Sequence, residues 1–291
     1  MFRKETSRGK PDVPVEVRDA AMRGEPDRYI AATLASPEAR PALAALAAFA
    51  AEVSHIPAVV SEAPLGAIRL QWWHDALAEG REGRLSGHPV ADALIAAIDA
   101  HGLPRDLIEA VIEARELDLS GAMPEDDDEL DAYLQATQGN IFLLGLCALG
   151  AEREEVAELA ALAGRAYGIA RGFCRLPVLL HNGGMILPAG RLKAAGIEPV
   201  QLVSQPIPPD VVDAVRRVAD AMAKDALEAL SRARAQARRL DRRYRPALLP
   251  LAMVEPYFQA QSFQRILVET VEIAPLRRVM RIGLAHLTGR L

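Results

Sequence analysis

The feature that most constrains this chain is its punctuation. Ser36-Pro37-Glu38, Pro64, His88-Pro89-Val90 and Pro104 each put proline where a helix begins, the one place where its missing N–H is harmless and its fixed φ fits. Gly80, Gly102 and Gly121 stand at the opposite ends, where helices stop. The spacing predicts helices from these prolines to about His55, Gly80, Gly102 and Gly121. Asp126, with Glu129 three residues on, makes a capping-box-like start for a helix through Gly150. Glu152 opens a long apolar helix to about Leu180, closed by the break HNGGMILPAG. After Pro208-Pro209, Val215, Val218, Met222, Ala226, Ala229, Ala233, Ala237 and Leu240 recur at three- and four-residue steps, an amphipathic stripe. Pro246, Pro250 and Pro256 interrupt the next segment before a last helix ending at His286.

Composition supports helices over strands: 51% of residues are hydrophobic but only 4% aromatic, and alanine and leucine supply most of the apolar content. No internal repeat or hairpin signal appears. The expectation is one all-α domain of about ten helices over 25–291, preceded by a tail and lead-in over 1–24. Cys147 and Cys174 sit in apolar runs and read as buried, reduced thiols. The longest apolar stretch, 141–149, falls short of the roughly 20 residues that span a bilayer, and the N-terminus lacks the apolar region of a signal peptide. These features predict a soluble cytoplasmic protein.

Charge is uneven. The net charge is −5, yet residues 216–291 hold 15 arginines and lysines against 7 aspartates and glutamates. A basic C-terminal quarter suits contact with an acidic surface. Nucleic acid is not expected, because no zinc-finger, RNP or helix-turn-helix signature is present. The final segment, APLRRVMRIGLAHLTGRL, mixes Arg277, Arg278 and Arg281 with leucines. It is the expected peripheral contact with the inner face of the cytoplasmic membrane.

Candidate metal sites are weak on their own chemistry. In the acidic run 125–131, Asp127 and Asp131 would share a helix face, as Mg²⁺-binding carboxylates should. The run coincides with a helix start, where acidic side chains favour the positive end of the dipole, and capping is the preferred reading. Glu52-Val-Ser-His55 is a lone Glu-x-x-His unit, whereas di-iron bundles use two with further glutamates. No P-loop, dinucleotide fingerprint or nucleophile elbow occurs.

Several segments, weak singly, gain weight from their order: Ala48-Phe49, Trp73, His88-Pro89-Val90 with Leu94, Glu116 with Asp118, YLQATQG (133–139), AYGIA (166–170) and ILPAGRLKAAG (186–196). Together they resemble squalene/phytoene synthases over roughly residues 25–290. The resemblance implies an isoprenoid-synthase helical fold around a cavity. Active members condense two prenyl diphosphates head to head, using Mg²⁺ held by two aspartate motifs to neutralise the leaving group. The first motif falls on Phe49 to Ala58, with its aspartate positions taken by Ser54, His55 and Ala58. The second falls on RGFCRLPVLLHNGG, which holds no carboxylate.

The resemblance therefore implies loss of both metal sites, no catalytic residue and no cofactor. The stretch AFAAEVSHIPAVVSEAPLGAIRLQWW (48–73) looks like the mitochondrial complex I assembly factor 6 group, through Phe49, Glu52, Ser61, Glu62, Gly66, Arg69, Gln71 and Trp73. Thr137 and Gln138 fit that group as well. The expected protein is a non-catalytic member acting in respiratory complex I assembly, with complex subunits and an isoprenoid or quinone-like lipid as partners. Phe49, Glu52, His55, Trp73, Tyr133, Gln138 and Tyr167 are its expected cavity residues, and Arg69, Arg171 and Arg175 the expected contacts for an anionic or carbonyl head. Two alternatives stay open: an active prenyl-diphosphate transferase that recruits Mg²⁺ through other ligands, and a helical adaptor without ligand.

Overall fold

The computed structural model describes residues 13–60, 62–121, 123–181, 186–202, 207–261 and 265–291, and every regular element among them is helical. Ser61 and residues 182–185 of the expected break lie outside them. The first half of the chain forms α1 (Val15–Gly24), α2 (Pro26–Thr33), α3 (Arg40–Val59), α4 (Ala63–Arg81), α5 (Pro89–His101) and α6 (Arg105–Ser120). The second half forms α7 (Asp127–Leu134), α8 (Asn140–Ala148), α9 (Arg153–Cys174), α10 (Leu176–His181), α11 (Ala189–Ala194) and α12 (Pro209–Ala237), then α13 (Arg245–Leu248), α14 (Val254–Ala260) and α15 (Pro275–Thr288).

Two helices organise the packing. α3 is alanine-rich, and its short side chains let α1, α2, α4, α5, α6 and α8 close around it. Ala42 to Ala51 are all buried. At 20 residues, with a mean hydropathy of 1.6 over its most apolar 18, α3 is long and apolar enough to cross a membrane, contrary to the expectation from the sequence, but it is the buried centre of this bundle. α9 is the second axis. It joins the main core to a smaller one formed with α7, α11 and α12. The apolar stripe of α12 faces α9, with Val215, Val218, Met222, Ala226, Leu230 and Ala233 buried.

Three departures from the expected outline have local causes. Residues 15–24, expected as lead-in, form α1, whose Val17 and Ala21 are fully buried against α3, so the domain begins before residue 25. The helix expected from Asp126 to Gly150 is interrupted by a π-helical turn, Gln135–Gly139. The helix expected through Leu180 stops at Cys174, because Pro177 lacks the N–H that would reach back to residue 173. Its C-cap is Arg175, which is thereby set at a bend between α9 and α10.

Candidate functional site

Five consecutive residues at the α1–α2 junction, Gly24-Glu25-Pro26-Asp27-Arg28, anchor the polar interior. Pro26 starts α2 at its first position and turns the flanking acids inward: Glu25 is 3% and Asp27 0% exposed. Gly24 is required by proximity, since a Cβ there would lie 2.4 Å from the Ala51 Cβ and 3.0 Å from its Cα on α3. Its carbonyl accepts from Arg171 Nη2 at 2.8 Å.

Glu25 is clamped by two guanidiniums. Arg28 Nε donates to it at 3.0 Å, and Arg171 Nη1 makes the second ion pair. Arg28 also donates to Gln138 Oε1 at 2.9 Å and lies 4.4 Å from the Phe142 ring centroid. Asp27 holds a parallel set: it accepts from the Tyr167 hydroxyl at 2.9 Å, from the Tyr257 hydroxyl at 2.6 Å and from Arg278. Arg278 also donates to the Tyr257 hydroxyl at 2.7 Å. Burial alone would raise the Glu25 pKa, but Arg171 and Arg28 together hold it below the usual carboxylate range.

A carboxylate with a lowered folded pKa contributes stability that is fully present above its unfolded value, 4.5, and is lost as pH falls through the folded pKa. Glu25→Gln is therefore expected to lower stability at neutral pH and to flatten the acid limb of the stability profile. Urea unfolding from about pH 3 to pH 7 checks this. A variant whose acid limb matches the parent's would show that Glu25 is not the group responsible.

Next to this network lies a cavity of about 540 Å³ between α3, α6, α7 with its π turn, and α9–α10. Its walls are mostly apolar, with Pro57, Ala58, Leu117, Met123, Leu134, Val178, Leu179 and Ile186 among them. Its polar residues include Glu25, Arg115, Asp118, Tyr133, Gln138, Arg171 and Arg175. Arg115 donates to Asp118 and to the Tyr133 hydroxyl, both at 2.9 Å, and that hydroxyl donates to Asp118 at 2.7 Å. The buried Arg115 Nε has no hydrogen-bond acceptor among the described residues. Arg175 makes no ion pair or hydrogen bond with its side chain among them either. Arg175 is exposed at the cavity mouth, and its partial desolvation first, then the like charge of Arg171, lowers its pKa. A second cavity, about 810 Å³, shares Ser54, Arg171, Arg175 and Val178 with the first and extends past Glu52 and His55 to the segment before α15.

The structure thus brings Ser54, Ala58, Tyr133, Gln138, Arg171 and Arg175 to the first cavity, and Glu52 and His55 to the second. Glu52 lies 3.7 Å from His88 Nε2, and burial raises its pKa against the pull of His88 and Arg23. Four expected cavity residues fall elsewhere. Phe49 and Trp73 pack edge to face in the core, centroids 5.2 Å apart, because both face inward between α3 and α4. Arg69 is exposed on the outer side of α4. Tyr167 is wholly buried below the cavities, its hydroxyl spent on Asp27. Of the expected membrane contacts, Arg278 is turned inward to Asp27, Arg281 is half-buried against Glu255 and the Ala252 carbonyl, and Arg277 is exposed. Cys174 is buried, its thiol pushed up to about 12 by burial, while Cys147, also expected buried, is half-buried.

The donor set at the cavity does not fit a divalent cation. Glu25 is held by Arg28 and Arg171, Asp118 by Arg115 and Tyr133, and Glu129 folds back onto the Glu125 N–H at 2.9 Å. In the acidic run, Asp126 caps α7 by accepting from the Glu129 N–H at 3.0 Å, Asp127 pairs with Arg191 at 2.7 Å, and Asp131 pairs with Arg165. Among the described residues no three His, Cys, Asp or Glu side chains converge as metal ligands. What the cavity offers instead is a set of guanidiniums, one of them, Arg175, without a side-chain partner among the described residues.

Comparison with known proteins identifies the family and the fold. The profile of the squalene/phytoene synthase family matches residues 21–260. Over 94% of the chain, the fold superposes on a dehydrosqualene synthase with a TM-score of 0.78 at 15% identity, covering 95% of that protein. Over 95% of the chain it superposes on the squalene synthase HpnC of Alicyclobacillus acidocaldarius with a TM-score of 0.65 at 17% identity, covering 97% of that protein. Among curated proteins, complex I assembly factor 6 of mouse is 29% identical over 143 residues, 49% of this chain and 43% of that protein. The human protein of the same name is 28% identical over 141 residues, 48% of this chain and 42% of that protein. The chain spans under half the length of these curated relatives.

Proposed function

Because the chain belongs to the squalene/phytoene synthase family and its cavity is headed by arginines instead of free carboxylates, we propose that it is a non-catalytic member that acts in respiratory complex I assembly and holds an isoprenoid or quinone-like lipid. The observation that carries this reading is the engagement of every carboxylate at the first cavity by a cation, a tyrosine or a helix cap. Diphosphate ionisation by this fold relies on Mg²⁺ to stabilise the departing charge, and these carboxylates are already engaged by Arg28 and Arg171, by Arg115 and Tyr133, and by the Glu125 N–H. The assembly role is supported by the stretch shared with the assembly factor 6 proteins.

A lipid would use the cavity in a different way. The apolar wall of Leu117, Leu134, Val178, Leu179 and Ile186 suits a prenyl tail, in a volume within the usual range for small-molecule sites. Arg175 is free to donate charge-assisted hydrogen bonds to an anionic or carbonyl head. Respiratory complex subunits are the proposed protein partners.

Two measurements on one system test the reading. A deletion strain is expected to lose respiratory NADH oxidation while its isoprenoid profile stays normal. Purified protein given farnesyl or geranylgeranyl diphosphate with Mg²⁺ is expected to release no pyrophosphate. Normal NADH oxidation with a missing C30 or C40 product would overturn the proposal. So would pyrophosphate release that is abolished by substituting Glu52 and His55.

A further inference from the structure

α15 has two faces of opposite character. Arg278, Ile282 and Ala285 are buried where the helix packs on α2 and on residues 249–253. On the other side Leu276, Val279, Met280, Leu284 and Leu287 are 70%, 49%, 65%, 55% and 83% exposed. At roughly 100° per residue, these five and Gly283 form one stripe about 140° wide, as broad as the apolar face of a helix that buries itself in a core. Leucines exposed to this degree in such a contiguous row mark an interaction surface.

Charge says what covers it. Arg277 is exposed at the border of the stripe beside Leu284, Arg290 follows the helix end, and neither side chain has an ion pair among the described residues. Arg278 and Arg281 are already committed, to Asp27 and to Glu255. A face that is apolar at its centre and cationic at its border matches a bilayer with anionic headgroups, where leucines enter the acyl boundary and arginines meet phosphates. Pairing with a second copy fits less well: parallel α15 helices would set Arg277 against Arg277, and antiparallel ones would bring Arg277 towards Arg290.

We propose that α15 docks flat on an anionic lipid surface through Leu276, Met280, Leu284 and Leu287, with Arg277 and Arg290 at the headgroups. Pro275 and Val279 also border the second cavity, so docking brings that cavity to the lipid surface. The proposal extends beyond the lipid-holding role and does not depend on it.

Vesicle flotation tests it on the whole chain. Binding is expected to phosphatidylcholine vesicles containing about 30% phosphatidylglycerol, more weakly to phosphatidylcholine alone, and less as salt rises. The triple variant Leu276→Ser, Met280→Ser, Leu287→Ser is expected to partition at least about tenfold less, with its melting temperature unchanged because all three side chains are exposed. Arg277→Glu with Arg290→Glu is expected to erase the preference for anionic vesicles. The proposal fails if the parent protein does not float, if the triple variant floats equally well, or if the triple variant converts a dimeric parent to a monomer. Flotation reads the helix face itself, so an empty cavity would leave the result standing.

Discussion

Asp27→Ala is expected to destabilise the protein by about 3–5 kcal/mol, the usual cost of removing one partner from a buried ion pair. Asp27 is 0% exposed and accepts from the Tyr167 and Tyr257 hydroxyls and from Arg278. Alanine would leave that guanidinium and two phenols without their acceptor, and each unsatisfied buried group adds its own desolvation cost. The three donors come from α9, α14 and α15, so the loss loosens the attachment of α2 to all three. In thermal unfolding the shift should be about 10 °C downward. Asp27→Leu combined with Arg278→Met should recover much of the loss, because an apolar pair removes the orphaned charge. A melting temperature within about 2 °C of the parent for Asp27→Ala would sink this account of the network.

That network also shows where sequence reading stops. The helices were legible because their signals are local. Pro64, Pro89 and Pro104 start elements that Gly80, Gly102 and Gly121 end or nearly end, and the α12 stripe follows from spacing alone. Tyr133, Gln138, Arg171 and Arg175, singled out through the family resemblance, line the first cavity. Glu25 and Asp27 were not. Acids flanking a proline at a helix start read as solvated caps, and nothing local marks them as buried. Their partners Tyr167, Arg171, Tyr257 and Arg278 lie between 140 and 251 residues from the groups they bond, so only the folded chain brings them together.

Arg278 and Arg69 failed for a related reason. A run such as Leu-Arg-Arg-Val-Met-Arg gives the composition of a surface without its phase. Arg278 falls roughly 160° around the helix from Met280, on the packed side, and only packing against α2 fixes that rotation. The exposed apolar side is instead written in Leu276, Met280, Leu284 and Leu287, and their exposure distinguishes them from core residues. Arg69 was placed by its match to a family run. Its neighbour Leu70 is the residue that turns inward on α4, leaving Arg69 on the outside.

Gly164→Ala should be the most damaging of the small substitutions. A Cβ at Gly164 would lie 2.4 Å from the Gly139 nitrogen, 2.6 Å from its Cα and 3.2 Å from the Gln138 carbonyl carbon. All three are backbone atoms, so no rotamer change relieves the overlap. α9 and the π turn must separate, at a cost of about 3 kcal/mol. Gly168→Ala gives the contrast. Its Cβ would meet the Leu134 Cδ2 at 2.6 Å, the far end of a flexible side chain, and about 1 kcal/mol or less should suffice. Gly283→Ala meets nothing within 4 Å and should stabilise α15 by up to about 1 kcal/mol through helix propensity. Gly164→Ala should also reach the cavity, because the displaced turn carries Gln138, which bonds Arg28 at 2.9 Å, and Thr137 in the cavity wall. Urea unfolding of the three variants should rank them Gly164→Ala, Gly168→Ala, Gly283→Ala from least to most stable. Equal stability of the first and last would mean that the close crossing of α9 on the π turn is not what fixes the glycine.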